Sequence, residues 1–353
     1  MSTLAEVARR AGVSLATASR VISKSSYGVT EELRDRVLAA AEQLDYVPNA
    51  HAQALVRSKV SALGVIVRDV SDPYFSEVVR GIHRVADETS RLVTVCNTYG
   101  DPERELAYLR LLRAQRVEAI IIASSGLDDP GHSRKIAAQI RAFEASGGRV
   151  SLIGRQFVSG NVVIPDNRAG AWALGRELIR LGHRSFGIVS SPRGLGSSID
   201  KLDGFREALK EEGLDLPPEN ILEGDFSRAS GVRAVSDLLE KVPDITAIAA
   251  FNDQMAVGVL AALRERGILV PEEISVTGFN DTPIARDLIP ALTTVRLPLV
   301  QMGVRATQLA LQPSGEGSSI ERLPTELVLR ASTAEATGGF RSQISGISKN
   351  PET

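Results

Sequence analysis

Thr3-Leu4-Ala5-Glu6-Val7-Ala8-Arg9-Arg10-Ala11-Gly12-Val13-Ser14-Leu15-Ala16-Thr17-Ala18-Ser19-Arg20 holds two short amphipathic segments joined at Gly12. Thr3 and Glu6 have the spacing of a capping box, which predicts a first helix from Leu4 to just before Gly12. Leu4, Val7, Ala8 and Ala11 recur at helical spacing and point to a small core. Ser14 can cap a second helix from Leu15 to about Ile22, with Ala18, Val21 and Ile22 turned inward. A third helix is predicted over Glu31 to Leu44, apolar along Leu33, Val37, Ala40, Ala41 and Leu44, and Tyr46-Val47-Pro48-Asn49 ends it. Two short helices around a glycine turn make a helix-turn-helix, a protrusion suited to a DNA groove.

The charge distribution agrees with that reading. The 353-residue chain has a formal net charge of -2, yet its first thirty residues set Arg9, Arg10, Arg20 and Lys24 against Glu6 alone. A local basic patch on an acidic body can hold phosphates while limiting non-specific adhesion. A chain of this length suits a small head and a larger body, and 43% hydrophobic residues suffice for real cores. No run approaches the roughly 18 apolar residues of a membrane span. No basic-then-apolar leader opens the sequence, and the lone Cys96 cannot build a disulfide framework, so a cytoplasmic location with no membrane partner is expected.

From about Ser61 the pattern changes. Buried-strand runs at 62–67, 92–96, 119–123 and 150–153 alternate with helices at about 74–88, 102–114 and 135–145. A second unit places strands at 185–189, 221–223, 247–250 and 274–279 among helices at about 169–181, 202–211, 229–239 and 255–266. Continuous apolar strands separated by helices imply parallel sheets covered on both faces, hence two α/β lobes with a ligand cleft beyond the strand C-termini. Beyond Arg330 the Ser- and Gly-rich composition predicts a loosely ordered tail.

Several strings carry a family resemblance: Ala11-Gly12-Val13-Ser14, Ser19-Arg20-Val21, Tyr46-Val47-Pro48-Asn49-Ala50, Arg180-Leu181-Gly182-His183-Arg184 and Asp203-Gly204-Phe205-Arg206. Further on stand Phe251-Asn252-Asp253-Gln254-Met255-Ala256-Val257-Gly258, Pro271 through Phe279, and Leu292-Thr293-Thr294-Val295-Arg296. In their order and spacing the chain resembles the lactose-repressor (LacI/GalR) family of bacterial transcription regulators over residues 3 to 333. The resemblance implies a two-lobed periplasmic-binding-protein-like α/β body, preceded by an all-α helix-turn-helix head and a short hinge helix. It also implies a homodimer. The expected boundaries are 1–48 for the head, 49–60 for hinge helix and linker, 61–157 with 288–320 for the first lobe, 158–287 with 321–335 for the second, and 336–353 for the flexible tail.

In the family the second helix enters the major groove, which brings Leu15 and Ala16 to the bases. Neither side chain can form a bidentate hydrogen bond, so apolar contact with thymine methyl groups is expected; an ordinary exposed leucine is the plainer reading of Leu15. Arg20 is the candidate for guanine, with a phosphate contact as the competing assignment. Ser14, Thr17 and Ser19 are expected at phosphates or as helix caps. By the same resemblance Leu55 is a hinge-helix wedge that opens the central base step from the minor groove, or else packs between head and body. Asn49, Ala52 and Ala54 suit close approach to the groove, and Arg57 suits backbone charge. The segment Lys24 to Thr30 is one residue longer than in the lactose repressor, which leaves the path of Tyr27 open.

The effector is expected in the interlobe cleft, held by Asp69, Tyr74, Phe75 and Arg155 from the first lobe and by Lys201, Phe226, Asn252 and Asn280 from the second. Tyr74 or Phe75 would stack on the ligand or be buried at the helix start. Lys201 and Asn280 depart from the arginine and aspartate common in sugar-responsive relatives, with Asp281 a candidate to compensate for the missing carboxylate. A sugar or sugar derivative is the leading effector class; a phosphorylated sugar or nucleobase acting as co-repressor is the alternative. His51, His83, His132 and His183 are dispersed, so no metal and no cofactor are expected. No phosphate-binding glycine loop follows the first strand and no nucleophile-base pair stands at a strand end, which argues against an enzyme.

Overall fold

A computed structural model describes residues 2–23, 28–47, 60–242, 244–312 and 318–336. Helices α1 (Leu4–Ala11), α2 (Leu15–Ile22) and α3 (Glu31–Gln43) form the head. The capping box at Thr3 and Glu6 is present, Gly12 takes the left-handed conformation at φ 63°, and Ser14 caps α2. Val7, Ala8, Ala11, Ala18, Val21, Val37, Ala40 and Ala41 make the core, with Leu4, Ile22 and Leu44 packed around it. The positions expected to face inward do so except Leu33, which is half-buried and outside this cluster. The Arg36 guanidinium donates to the Ala11 carbonyl and ties α3 to the turn.

The first lobe is built on β1 (Val60–Val67), α4 (Pro73–Glu88), β2 (Leu92–Asn97), α5 (Pro102–Ala114), β3 (Val117–Ile122), α6 (Pro130–Ala145), β4 (Arg149–Ile153) and β5 (Asn161–Pro165). The second contains α7 (Asn167–Arg180), β6 (Phe186–Ser190), α8 (Gly196–Glu211), β7 (Ile221–Glu223), α9 (Arg228–Lys241), β8 (Ala247–Ala250), α10 (Asp253–Glu265), β9 (Ser275–Asn280), the short α11 (Ile284–Asp287) and β10 (Thr293–Arg296). The chain then returns as α12 (Leu299–Leu311) and β11 (Ile320–Leu323) in the first lobe, and crosses once more into β12 (Glu326–Val328).

Each lobe has a six-stranded sheet, ordered β11-β5-β4-β3-β1-β2 in the first and β12-β10-β9-β8-β6-β7 in the second. All pairings are parallel except β10 with β12. Alternate residues of the first sheet enter two cores. Ala62, Ile66, Ile120 and Ile122 pack under Leu106, Leu109, Ile136 and Phe143 of α5 and α6. Leu63, Val65, Val67, Ala119 and Ile121 face the α4 and α12 side, in a core continuous with the second lobe. No described helix is long and apolar enough to cross a membrane.

The expected lobe boundaries need correction. Residues 161–165 belong to the first sheet, where Leu152 pairs with Val162 and Ile153 with Val163, so the first crossing follows β5 and not residue 157. Residues 293–296 remain in the second sheet beside β9, which moves the second crossing from 287 to Leu297-Pro298. The third lies between Leu323 and Glu326. Short strands that pair with distant segments carry little local signal, which is why β5, β10, β11 and β12 were not expected as strands. Helices α6 and α8 start earlier than expected, at Pro130 behind the Asp129 cap and at Gly196. Residues 331–336 are also not a loose tail: Ser332 bridges Ala291 and Val276 through its backbone, and Ala336 donates to the Leu181 carbonyl at 2.8 Å.

Candidate functional site

Exposure and hydrogen bonding sort the residues of the head. Leu15, 53% exposed, stands at the outer start of α2 beside exposed Ala16, and exposed Arg20 follows a turn and a half later. Ser14 accepts the Thr17 N–H at 3.1 Å, and the two hydroxyls lie 2.9 Å apart, so both serve the cap. Ser19 is half-buried. Arg10 is held by Gln43 at 3.0 Å. The first turn of α2 therefore presents a small apolar cap with a cation behind it. Asn49, Ala52, Leu55, Arg57, the hinge helix and Tyr27 lie outside the described residues.

Between the lobes is a cleft enclosing about 940 Å³, including its open mouth. The first lobe supplies Arg68 at the end of β1, Asp72, Tyr74 and Phe75 at the start of α4, Thr98 and Gly100 to Pro102 after β2, Ser124, Ser125 and Leu127 after β3, and Glu105 with His132 from α5 and α6. The second supplies Asn167, Leu195, Ser197, Lys201, Phe226 and Asn280. The walls lie at strand C-termini and helix N-termini, as a parallel α/β fold dictates.

Of the eight expected effector residues, Tyr74, Phe75, Lys201, Phe226 and Asn280 line this cleft. Tyr74 and Phe75 meet edge to face at 4.9 Å, which fixes an aromatic corner at the α4 N-terminus. Lys201 is only 4% exposed; its ammonium donates to the Phe251 carbonyl at 2.8 Å and sits 4.0 Å from the centre of the Phe279 ring. Burial lowers the Lys201 ammonium to about 7, against the opposing attraction of Asp253 and Asp72. Phe226 and Asn280 hold left-handed backbones at φ 71° and 112°, a strain that concentrates at binding sites. The amide oxygens of buried Asn280 and Asn167 lack hydrogen-bond partners.

The other three expected residues are placed elsewhere, each for a local reason. Asp69 folds back on Ser71, accepting its N–H at 2.9 Å and its hydroxyl at 2.8 Å. Arg155 pairs across the lobes with Asp200 at 2.8 Å and is consumed as a strut. Asn252 caps α10 and donates to the Phe226 carbonyl at 3.0 Å, so it positions a wall residue without lining the cleft. Asp281 does not compensate for Asn280: its carboxylate is held by Arg296 at 2.7 Å and Arg330 at 2.6 Å.

Arg68, Asp72, Asn167 and the Glu105-His132 pair, 2.9 Å apart, were missed. Asp72 caps α4 by accepting the Tyr74 N–H at 2.9 Å, and burial raises its carboxyl above the ordinary aspartate value. The Asp72-Pro73 cap signal was legible, but the wall it faces was not. His132 is raised by its hydrogen bond to Glu105. His183 bridges Thr246 and the Ala334 carbonyl at 3.0 and 3.1 Å, so its ring ties together distant segments of the second lobe.

Comparison with known proteins follows the same division of the chain. The family model for bacterial regulatory proteins of the lacI family matches residues 3–49, and that for a periplasmic binding protein-like domain matches 176–333. The HTH-type transcriptional regulator GalR of Escherichia coli K12 is 35% identical over 313 residues, 88% of this chain and 89% of that one. Among solved structures, the lac repressor dimer bound to operator and the anti-inducer ONPF superposes with a TM-score of 0.80 at 29% identity, covering 94% and 99% of the two chains. A complex of the transcriptional regulator CelR with cellobiose gives a TM-score of 0.69 at 28% identity, covering 94% and 100%.

Proposed function

The chain belongs to the LacI/GalR family of bacterial helix-turn-helix transcription regulators, and from that premise we propose that it is a homodimeric repressor whose hold on a near-palindromic operator is set by a small polyhydroxylated metabolite in the cleft. The observation that carries the effector class is the pair of unpartnered amide oxygens on Asn167 and Asn280, buried in the cleft wall near the Tyr74-Phe75 corner. A buried acceptor without a partner is costly, and a ligand hydroxyl is the donor that relieves it. The sugar bound to CelR and the operator bound to the lac repressor dimer lend this reading the support of two relatives.

On the DNA, Leu15 and Ala16 would meet thymine methyl groups, Arg20 a guanine edge, and Ser14, Thr17 and Ser19 the backbone. Leu55, flanked by Asn49, Ala52 and Arg57, would enter the minor groove as the wedge. An apolar patch on the second lobe, with Ile289 97% exposed and Leu269 58% exposed beside Val257, Leu260 and Leu288, supports pairing of the bodies.

The test is selection of binding sites from random duplexes with the full-length protein at low salt. Anisotropy titration of the recovered site with and without sugars should then show a symmetric target and a ligand-dependent affinity, with a duplex bend that disappears in Leu55→Ala. Recovery of no symmetric site, or an affinity indifferent to every ligand that binds the body, refutes the proposal. Arg20→Ala should reduce discrimination against an altered base pair by about 1–3 kcal/mol. Equal weakening on matched and altered sites assigns Arg20 to a phosphate instead.

A further inference from the structure

Among the described residues the two cations of the cleft, Arg68 and Lys201, form no direct ion pair, although acidic groups lie within electrostatic reach of each. Arg68 leaves the end of β1 and lies with its guanidinium carbon 4.9 Å from the centre of the Phe226 ring in the opposite lobe. Gly100 makes room for it, since a Cβ there would come within 2.6 Å of Nη1. Among the described residues the guanidinium makes no hydrogen bond and no ion pair. Lys201 donates to the Phe251 carbonyl and lies against the face of Phe279, with Asp253, Asp72 and Asp200 within electrostatic reach.

The carboxylates of the same wall are differently placed. Asp101 caps α5 and pairs with Arg104 at 3.5 Å, and Glu105 is matched by His132. Among the described residues only Asp72 stands near both cations, and burial raises its carboxyl above the ordinary aspartate value. The other carboxylates within electrostatic reach of the two cations are engaged elsewhere, Asp225 by Arg233 and Ser227, Asp69 by Ser71, Asp200 by Arg155 and Asp253 by Thr282 and Thr294, so among the described residues no carboxylate takes the hydrogen bonds of either cation. The first turn of α8, which carries Ser197 into the wall, has no side-chain cap and adds backbone donors of the same sense.

We propose that the effector is a polyhydroxylated anion, a sugar acid or a sugar phosphate, whose charged group sits between Arg68 and Lys201 while its hydroxyls donate to Asn167 and Asn280. The inference rests on the cleft being the effector site. A neutral sugar offers Arg68 only separate, uncharged hydroxyl oxygens as acceptors. An anion gives the guanidinium fork its bidentate partner and lets ion pairing act where water is partly excluded. Arg68 is then the residue that determines specificity.

Isothermal titration of the full-length protein with matched compounds separates the possibilities: glucose and galactose, glucuronate and galacturonate, glucose 6-phosphate and galactose 1-phosphate. At least one acid or phosphate should bind ten-fold or more tightly than its neutral parent, and the better of the two series identifies the charged group. Arg68→Gln should erase that advantage while retaining the wild-type melting temperature. Asp72→Asn keeps a cap for α4 and should tighten the anion several-fold, whereas in a site built for neutral hydroxyls it would weaken binding. Neutral parents that bind as well as their charged partners, or Asp72→Asn that weakens the anion, overturn this inference and leave the cleft reading intact. Failure of both series to bind overturns the two together.

Discussion

Gly303→Ala is expected to destabilise the first lobe by about 3 kcal/mol or more, at the upper end of what overpacking a core costs. In the middle of α12, Gly303 faces the Val78 carbonyl of α4, and Gly81 of α4 faces the Val300 carbonyl of α12. A Cβ at either position would overlap a backbone oxygen, which cannot rotate away as a side chain can. The helices would have to separate, and Met302, Ala306, Val78 and Ile82, all fully buried, would lose contact together. The same helix pair carries the site: α4 begins with Tyr74 and Phe75, and α12 is entered directly from the crossing at Leu297. Denaturant unfolding should show a lowered midpoint with effector affinity falling in parallel. Gly81→Ala should behave likewise, and the double variant should cost less than the sum, because a helix pair already forced apart admits the second methyl group cheaply. A midpoint within experimental error of wild type for Gly303→Ala would mean that the two backbones are not in contact.

Features settled within a turn or two of chain could be read from the sequence, and features settled by distant partners could not. The Thr3-Glu6 box, the Gly12 turn and the Ser14 cap are local hydrogen bonds between residues at most five apart, and the head was legible almost to the residue. Strand β11 exists because Val162 to Pro165 offer it a ladder from some 158 residues away. Nothing in Ile320-Glu321-Arg322-Leu323 announces that. The cleft divides the same way. Lys201, Phe226 and Asn280 stand on helices or strand ends whose direction follows from the alternating pattern. Arg155 looked available as a ligand only because Asp200, which takes it, sits on the facing lobe. Arg68 drew no reading from the sequence, because the Phe226 ring it faces belongs to the other lobe.

Asp253→Ala is expected to lose about 3 kcal/mol at pH 5 and to impair effector binding at every pH. The carboxylate is 1% exposed and accepts from the Thr282 N–H at 2.7 Å, the Thr282 hydroxyl at 2.9 Å and the Thr294 hydroxyl at 2.7 Å. Removing it orphans a buried backbone donor and two hydroxyls, each worth about 1–3 kcal/mol when left unpaired. The Thr282 anchor also restrains the left-handed pair Asn280-Asp281, so the Asn280 amide would lose its aim into the cleft. Burial raises the Asp253 carboxyl from the ordinary 3.8 to about 6, despite hydrogen bonds from Thr294 and Thr282 that favour its charged form. Folding therefore takes up a proton between these values. The associated stability is full below about pH 3.8 and is lost as pH rises through about 6, a change on the order of 3 kcal/mol. Wild type at pH 7.5 thus carries a buried charge that the alanine variant lacks, and the destabilisation by Asp253→Ala should shrink from pH 5 to pH 7.5. Asp253→Asn can keep an oxygen for Thr282 and donate to the Thr294 hydroxyl. It should match wild type near pH 5 and exceed it at pH 7.5. Urea midpoints of the three proteins across that range provide the check: a deficit of the alanine variant that grows with pH would show that the carboxylate is charged throughout and held by attraction stronger than its desolvation.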